Sequence, residues 1–197
     1  MIVILFGPPG SGKGTQAQRV AEVMGTPHVS TGAILRAEVA RDSALGREAQ
    51  PIMASGALVP DDLMVRIIES RLAEPDAGAG VILDGFPRTV PQAQALDLML
   101  QRNRRDVGVV LYLDVNSDLI KERILRRAAI DSRSDDTAEA LVERMRVYQK
   151  ETAPVVDHYK ERGTRVDWID GSPPIDDVTA QILAVLARSP VDTETVG

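Results

Sequence analysis

Residues 7–15, GPPGSGKGT, follow directly on the apolar run MIVILF (1–6) and lead straight into QAQRVAEVM (16–24). The run reads as a strand over 2–6 and the segment after it as a helix over 13–24, so a glycine-rich turn joins a strand to a helix N-terminus. In that arrangement successive backbone amides point into one concavity, where the helix dipole also favours an anion. The stretch is therefore a seat for phosphate. Gly7, Gly10 and Gly12 permit the close approach, and Lys13 supplies a compact charge able to reach the outer phosphates. Gly14 follows the lysine and the hydroxyl comes one place later, as Thr15, unlike the generic pattern in which Ser or Thr adjoins the lysine.

Outward from the loop, strand-like runs recur at 28–30, 81–84 (VILD), 109–115 (VVLYLDV) and 165–170 (RVDWID), each separated from the next by helical patterning. Continuous rather than alternating apolar residues predict strands covered on both faces, hence a parallel sheet in an α/β doubly wound core. The helices read as 31–41, 44–54, 61–73, 89–102, 116–127, 137–161 and 175–188. Pro154 is expected to kink the long helix beyond it, because it lacks an amide donor and crowds the preceding turn. Residues 30–60 form a helical excursion longer than a crossover needs, and RRAAIDSRSDDT (126–137) reads as a short charged flap. The last residues, 189–197, have no periodicity and read as a frayed tail.

A chain of 197 residues with 44% apolar and 26% charged residues suffices for one core. Aromatic residues make up 3% and the net charge is −6, which leave few rings for base stacking and no basic excess for duplex phosphates. Nucleic-acid binding is disfavoured on both counts. With no cysteine there are no disulfides and no thiolate zinc sites. MIVILF is too short for a signal core or a membrane span, and a cytoplasmic location is expected.

Two further stretches carry chemistry: STGAILR (30–36) and LDGFPRT (83–89). Ser30 or Thr31 can cap a helix, and Gly85 with Pro87 can end a strand. Neither role accounts for Arg36 and Arg88, whose guanidinium forks suit phosphate held through two parallel bonds. Asp84 ends its strand across from the loop, where a carboxylate can hold magnesium or its waters. Arg123 and Arg127 share one helix face, with Arg133 in the flap and Arg144 on the next helix, a cationic cluster in an acidic protein. His28 and His158 are the only histidines, and the sequence sets neither beside a serine or carboxylate constellation, so both read as structural.

GPPGSGKGT, STGAILR, LDGFPRT and the stretch RSDDTAEALVERMRVYQKETAPV together resemble the adenylate kinases, within the nucleoside monophosphate kinases, over residues 1 to about 188. The resemblance implies a P-loop kinase core with a five-stranded parallel sheet (1–29, 60–125 and 138–188), a helical AMP-binding subdomain (30–59) and a short lid (126–137) without zinc. It implies that Gly10, Ser11, Gly12, Lys13, Gly14 and Thr15 hold ATP phosphates. Arg123 would stack on the donor adenine, Arg127 meet the donor phosphates and Gly171 offer a backbone contact to the donor base. For AMP, Thr31 and Arg36 would hold the sugar-phosphate side, Ala57, Leu58 and Val59 would border the pocket, Gly85, Phe86, Pro87 and Arg88 would close it, and Gln92 would read the adenine edge. Arg133 and Arg144 would straddle the transferred group, with Lys13 and Arg88 completing the catalytic set. Thr31 and Thr89 favour AMP as acceptor, since UMP/CMP kinases usually carry alanine and asparagine at those places.

The implied activity is reversible, Mg²⁺-dependent transfer from ATP to AMP, giving two ADP, by a monomer with no nucleic-acid or membrane partner. An acceptor phosphate is already ionised at neutral pH, so no general base is needed, and none is evident. The alternatives are a sister kinase with another acceptor base and a nucleotide-binding regulatory module without transfer.

Overall fold

The computed structural model describes residues 1–131 and 137–188, with the side chains of all of these except 125–131 and 138. The chain runs β1 (Ile2–Phe6), α1 (Lys13–Met24), β2 (His28–Ser30), α2 (Thr31–Ala40), α3 (Ala44–Ser55), α4 (Asp61–Leu72), β3 (Val81–Asp84), α5 (Val90–Arg102), β4 (Val107–Asp114), α6 (Ser117–Asp131), α7 (Ala138–Val147), α8 (Ala153–Glu161), β5 (Val166–Asp170) and α9 (Ile175–Ala187). The five strands form one parallel sheet in the order β2-β3-β1-β4-β5.

Every residue of β1 is buried because the strand lies mid-sheet and both of its faces are covered. Ile2, Ile4 and Phe6 join Val81, Leu83 and Val110 in one core layer, which takes Ile68 from α4, Leu96 from α5 and Val155 from α8. Val3 and Leu5 join Ile82, Leu111 and Ile169 in the other, against Val20 of α1 and Ile182 of α9. Leu83, wholly buried between the strands and the α4/α5 layer, has no room to be shortened without leaving a cavity. Leu83→Ala is therefore expected to lower stability by about 2–5 kcal/mol, read as a shifted urea midpoint.

Short polar side chains start the helices: Ser30, Ser43, Thr89 and Thr137 accept from the amides of Ala33, Gly46, Gln92 and Ala140. The helix that begins at the phosphate loop is also stitched to the last one. Buried Gln16 donates from Nε2 to the Ile175 carbonyl at 3.0 Å and accepts from Thr179 Oγ1 at 2.8 Å, and Arg19 pairs with Asp176.

Three elements differ from the pattern by more than one residue at an end. The strand read as 109–115 begins at Val107, because Ile2 pairs with Val107 across a register shift. The helix read as 116–127 continues to Asp131, so the first six residues of the supposed flap are helical; Ala128 and Ala129 are strong helix formers there. The single helix read as 137–161 is three pieces, α7, a π-helical turn over Tyr148–Thr152 and α8, with Pro154 in the first turn of α8. A proline is tolerated where no intrahelical donor is required, so the irregularity lies before Pro154 and not after it. The turn is tied on both sides: Tyr148 Oη donates to Tyr112 Oη at 2.8 Å, and Thr152 Oγ1 donates to the Arg88 carbonyl at 2.9 Å. Residues 189–197, read as a tail, lie outside the described residues.

Candidate active site

At the C-terminal ends of β1 and β3 a cleft of about 1270 Å³ opens between the loop at 7–15, the excursion 30–60 and the helices after β4. Its floor follows from the loop backbone. Gly10 has φ +84°, and a Cβ there would stand 2.8 Å from Ile124 Cγ1, so only glycine lets the loop pack on α6. Ser11 N donates to the Pro8 carbonyl at 3.1 Å, and Gly12 caps α1. Lys13 curls over its own loop, donating from Nζ to the carbonyls of Gly7 at 2.7 Å and Pro8 at 2.8 Å. Gly14, Thr15 and the rest of the loop line the same wall.

The facing wall is built from LDGFPRT. Gly85 has φ +81°, and a Cβ there would lie 2.7 Å from Thr31 Oγ1 and 3.0 Å from Arg88 Nη2. Its bare backbone is what allows both side chains to converge on it: Thr31 Oγ1 and Arg88 Nε donate to the Gly85 carbonyl, each at 2.9 Å. The Phe86–Pro87 peptide is cis. Arg36 folds over Gly32, and Ala57, Leu58, Val59 and Gln92 complete this end of the cleft.

Electrostatically the wall is short of anions. Burial depresses the pKa of the Arg88 guanidinium; Asp84 opposes this, while Arg144 of α7 and Arg36 of α2 depress it further. Arg88 nonetheless stays protonated, as guanidinium does in proteins. Asp84 lies between this wall and the loop, 3.3 Å from where a Gly14 Cβ would be. Burial pushes its carboxyl upward, but neighbouring His28, Lys13 and Arg88 outweigh that and hold it below the ordinary carboxylate range. It is an ionised carboxylate at neutral pH.

At the other end, Arg123 donates from Nη1 to the Ser11 carbonyl at 3.2 Å and approaches the Ser172 carbonyl at 3.5 Å, beside Gly171. The Gly171 amide is occupied by the Asp114 carbonyl at 2.8 Å, which holds the β5–α9 turn against the end of β4.

The adenylate kinase family model matches residues 5–164. The chain belongs to the adenylate kinase family. Proteins named adenylate kinase align along nearly its whole length. The one from Stenotrophomonas maltophilia K279a is 47% identical over 94% of this chain and 99% of its own; that of Parvibaculum lavamentivorans DS-1 is 48% identical over 96% and 93%. A third, from Xanthomonas euvesicatoria pv. vesicatoria 85-10, is 46% identical over 95% of this chain and all of its own. The five-stranded parallel sheet with flanking helices agrees with the fold that the family resemblance implied.

One cleft gathers the loop residues 10–15, Thr31, Arg36, residues 57–59, Asp84 to Arg88, Gln92, Arg123, Arg144 and Gly171. Arg133 lies outside the described residues, and the side chain of Arg127 is likewise not described. The reading of the histidines needs correction, because both sit against carboxylates: His28 Nε2 is 3.6 Å from Asp84 and His158 Nε2 is 2.9 Å from Asp97. Parallel pairing of β2 with β3 sets Ser30 opposite Asp84 and carries His28 into the cleft beside it. No local pattern announces a contact between residues 56 positions apart. His158, on α8, reaches across to Asp97 of α5, where Arg162 Nε also arrives at 3.1 Å, and it is structural. Sequence reading also missed Asp61, which looks like an ordinary acidic residue in a helix's first turn.

Proposed function

We propose that this chain transfers the terminal phosphoryl group of ATP reversibly to AMP, giving two ADP, and so serves adenine nucleotide homeostasis as a cytoplasmic monomer. The observation that carries the proposal is one cleft lined by a phosphate loop at one end and, at the other, by Arg88 with Arg36 and Arg144 both in electrostatic reach of it. Two polyanions must meet in line, and such a site supplies the opposing charge from both sides. The proposed donor side is Gly10 to Thr15 with Arg123, Arg127 and Gly171. The proposed acceptor side is Thr31, Arg36, Ala57 to Val59, Gly85 to Arg88 and Gln92. Lys13, Arg88, Arg133 and Arg144 act on the group in transit. Closure of the excursion 30–59 and of the lid 126–137 excludes water, which would otherwise take the phosphoryl group.

Asp84 is suited to magnesium. Among the described residues no group of three or more His, Cys, Asp or Glu is arranged to hold a metal, and magnesium characteristically takes one or two carboxylates plus waters and substrate phosphates. An ionised Asp84 beside the loop provides such a carboxylate, acting through water. When bound, the ion supplies charge neutralisation on the phosphates.

The test is the initial rate of ADP formation from ATP, Mg²⁺ and an acceptor, with AMP, UMP, CMP and GMP in turn and a control without acceptor. The expected result is strong turnover with AMP and, with each other acceptor, a rate lower by at least about a hundredfold. Turnover only with another acceptor reassigns the chain to a sister activity, and ATP binding without transfer makes it a binding module.

A further inference from the structure

Gln92 lines the cleft yet is 2% exposed, so the groups packed behind its amide fix it in place. Behind it stands Asp61, the first residue of α4, which does not line the cleft. One oxygen of its carboxylate accepts from Gln92 Nε2 at 2.7 Å; the other accepts from Thr89 Oγ1 at 2.8 Å. On the far side of the amide, the Arg88 backbone N–H donates to Gln92 Oε1 at 2.7 Å.

A carboxylate can only accept and a backbone N–H can only donate, so these two partners fix which way round the amide lies. Turned over, it would set Oε1 against a carboxylate and its NH₂ against an N–H. Of the two acceptor sites and two donor hydrogens of a glutamine amide, one of each is thereby occupied, and one acceptor and one donor remain for a ligand. Adenine offers an amino donor beside a ring-nitrogen acceptor, which that pair matches; guanine carries an oxygen acceptor where adenine has its amino group.

We infer that Asp61 is a specificity-determining positioning residue, which selects adenine over guanine in the acceptor by locking the orientation of the Gln92 amide, with Thr89 holding the carboxylate in place. The inference rests on the proposed role of Gln92 in reading the acceptor base. Asp61 acts wholly through Gln92 and touches no substrate.

The experiment compares kcat and KM for AMP, GMP and ATP in the full chain, in Asp61→Leu, in Asp61→Asn, in Gln92→Leu and in the double variant Asp61→Leu/Gln92→Leu. Asp61→Leu is expected to lower kcat/KM for AMP about tenfold, mainly through KM, to leave the KM for ATP within about twofold, and to shrink the preference for AMP over GMP about tenfold. Asp61→Asn, whose amide oxygen still accepts from Gln92, is expected to restore the AMP preference to within about threefold. In the Gln92→Leu background, Asp61→Leu should add almost nothing, because the two act as one unit. An unchanged AMP-to-GMP preference in Asp61→Leu overturns the inference, as does an equal loss for AMP and ATP, or the full loss appearing again without Gln92. If Gln92→Leu itself keeps the preference, the base-reading role of Gln92 is what has failed, and the inference falls with it. Should Asp61→Leu not fold, Thr89→Val carries the test: it is expected to reduce the preference about threefold, and no reduction overturns the inference.

Discussion

Lys13→Met is expected to give a folded protein whose turnover has fallen about a thousandfold. Methionine matches the length of the lysine stem and removes only the charge and the donors. Those donors engage the Gly7 and Pro8 carbonyls in part-buried bonds beside the cleft, from which water can replace the ammonium. The stability cost is therefore about 1 kcal/mol. No such substitute exists during transfer, when water is excluded and a compact charge on the outer phosphates is worth several kcal/mol. Loss of Lys13 also removes one of the charges that hold the Asp84 carboxyl low, which compounds the effect. Discontinuous measurement of ADP, with circular dichroism on the same sample, separates lost chemistry from lost fold. Turnover within about tenfold of the parent would contradict the role given to Lys13.

Arg88→Ala is expected to raise the KM for AMP about a hundredfold and to lower kcat as well, while the KM for ATP moves no more than about threefold. The asymmetry follows from position. Arg88 is anchored by its Nε to the Gly85 carbonyl on the wall opposite the phosphate loop, so its remaining nitrogens serve the far end of the cleft. Its neighbours explain a second expectation. A partly buried cation facing Arg36 and Arg144 with Asp84 as counter-charge is under electrostatic strain that a bound anion relieves. Removing it should thus cost less stability than Leu83→Ala does. Isothermal titration with each nucleotide is the clean readout, and equal weakening of AMP and ATP would move Arg88 out of the acceptor site.

The order of strands, loop and helices was legible because a parallel sheet covered on both faces writes itself as continuous apolar runs such as IVILF and VILD, punctuated by glycine at the phosphate loop. What escaped was decided by contacts distant in sequence. YQKET carries no breaker of its own, and its π turn is held by Tyr112 and the Arg88 carbonyl. Val107 joins β4 although Gly108 follows it, since Ile2 is there to pair with. The helix through Asp131 reversed a reading made from polarity, where alanine and arginine propensities were the better guide. In the site, motif residues were legible because their spacing is chemical. Their supports were not: His28 reaches Asp84 through strand pairing, and Asp61 reaches Gln92 across the start of two helices.

The stitch between α1 and α9 has a bearing on how the molecule is made. Gln16 and the carbonyl it grips, that of Ile175, are 159 residues apart, so the ribosome delivers the phosphate loop long before the helix that backs it. At about 5–20 residues per second, the interval is roughly ten to thirty seconds. Through that interval Gln16 must face solvent or a transient neighbour, and β1 waits for both strands that flank it. The proposed donor end of the cleft is thus begun first and finished last, and the helix that leads out of the phosphate loop lacks its backing until the final helix has emerged.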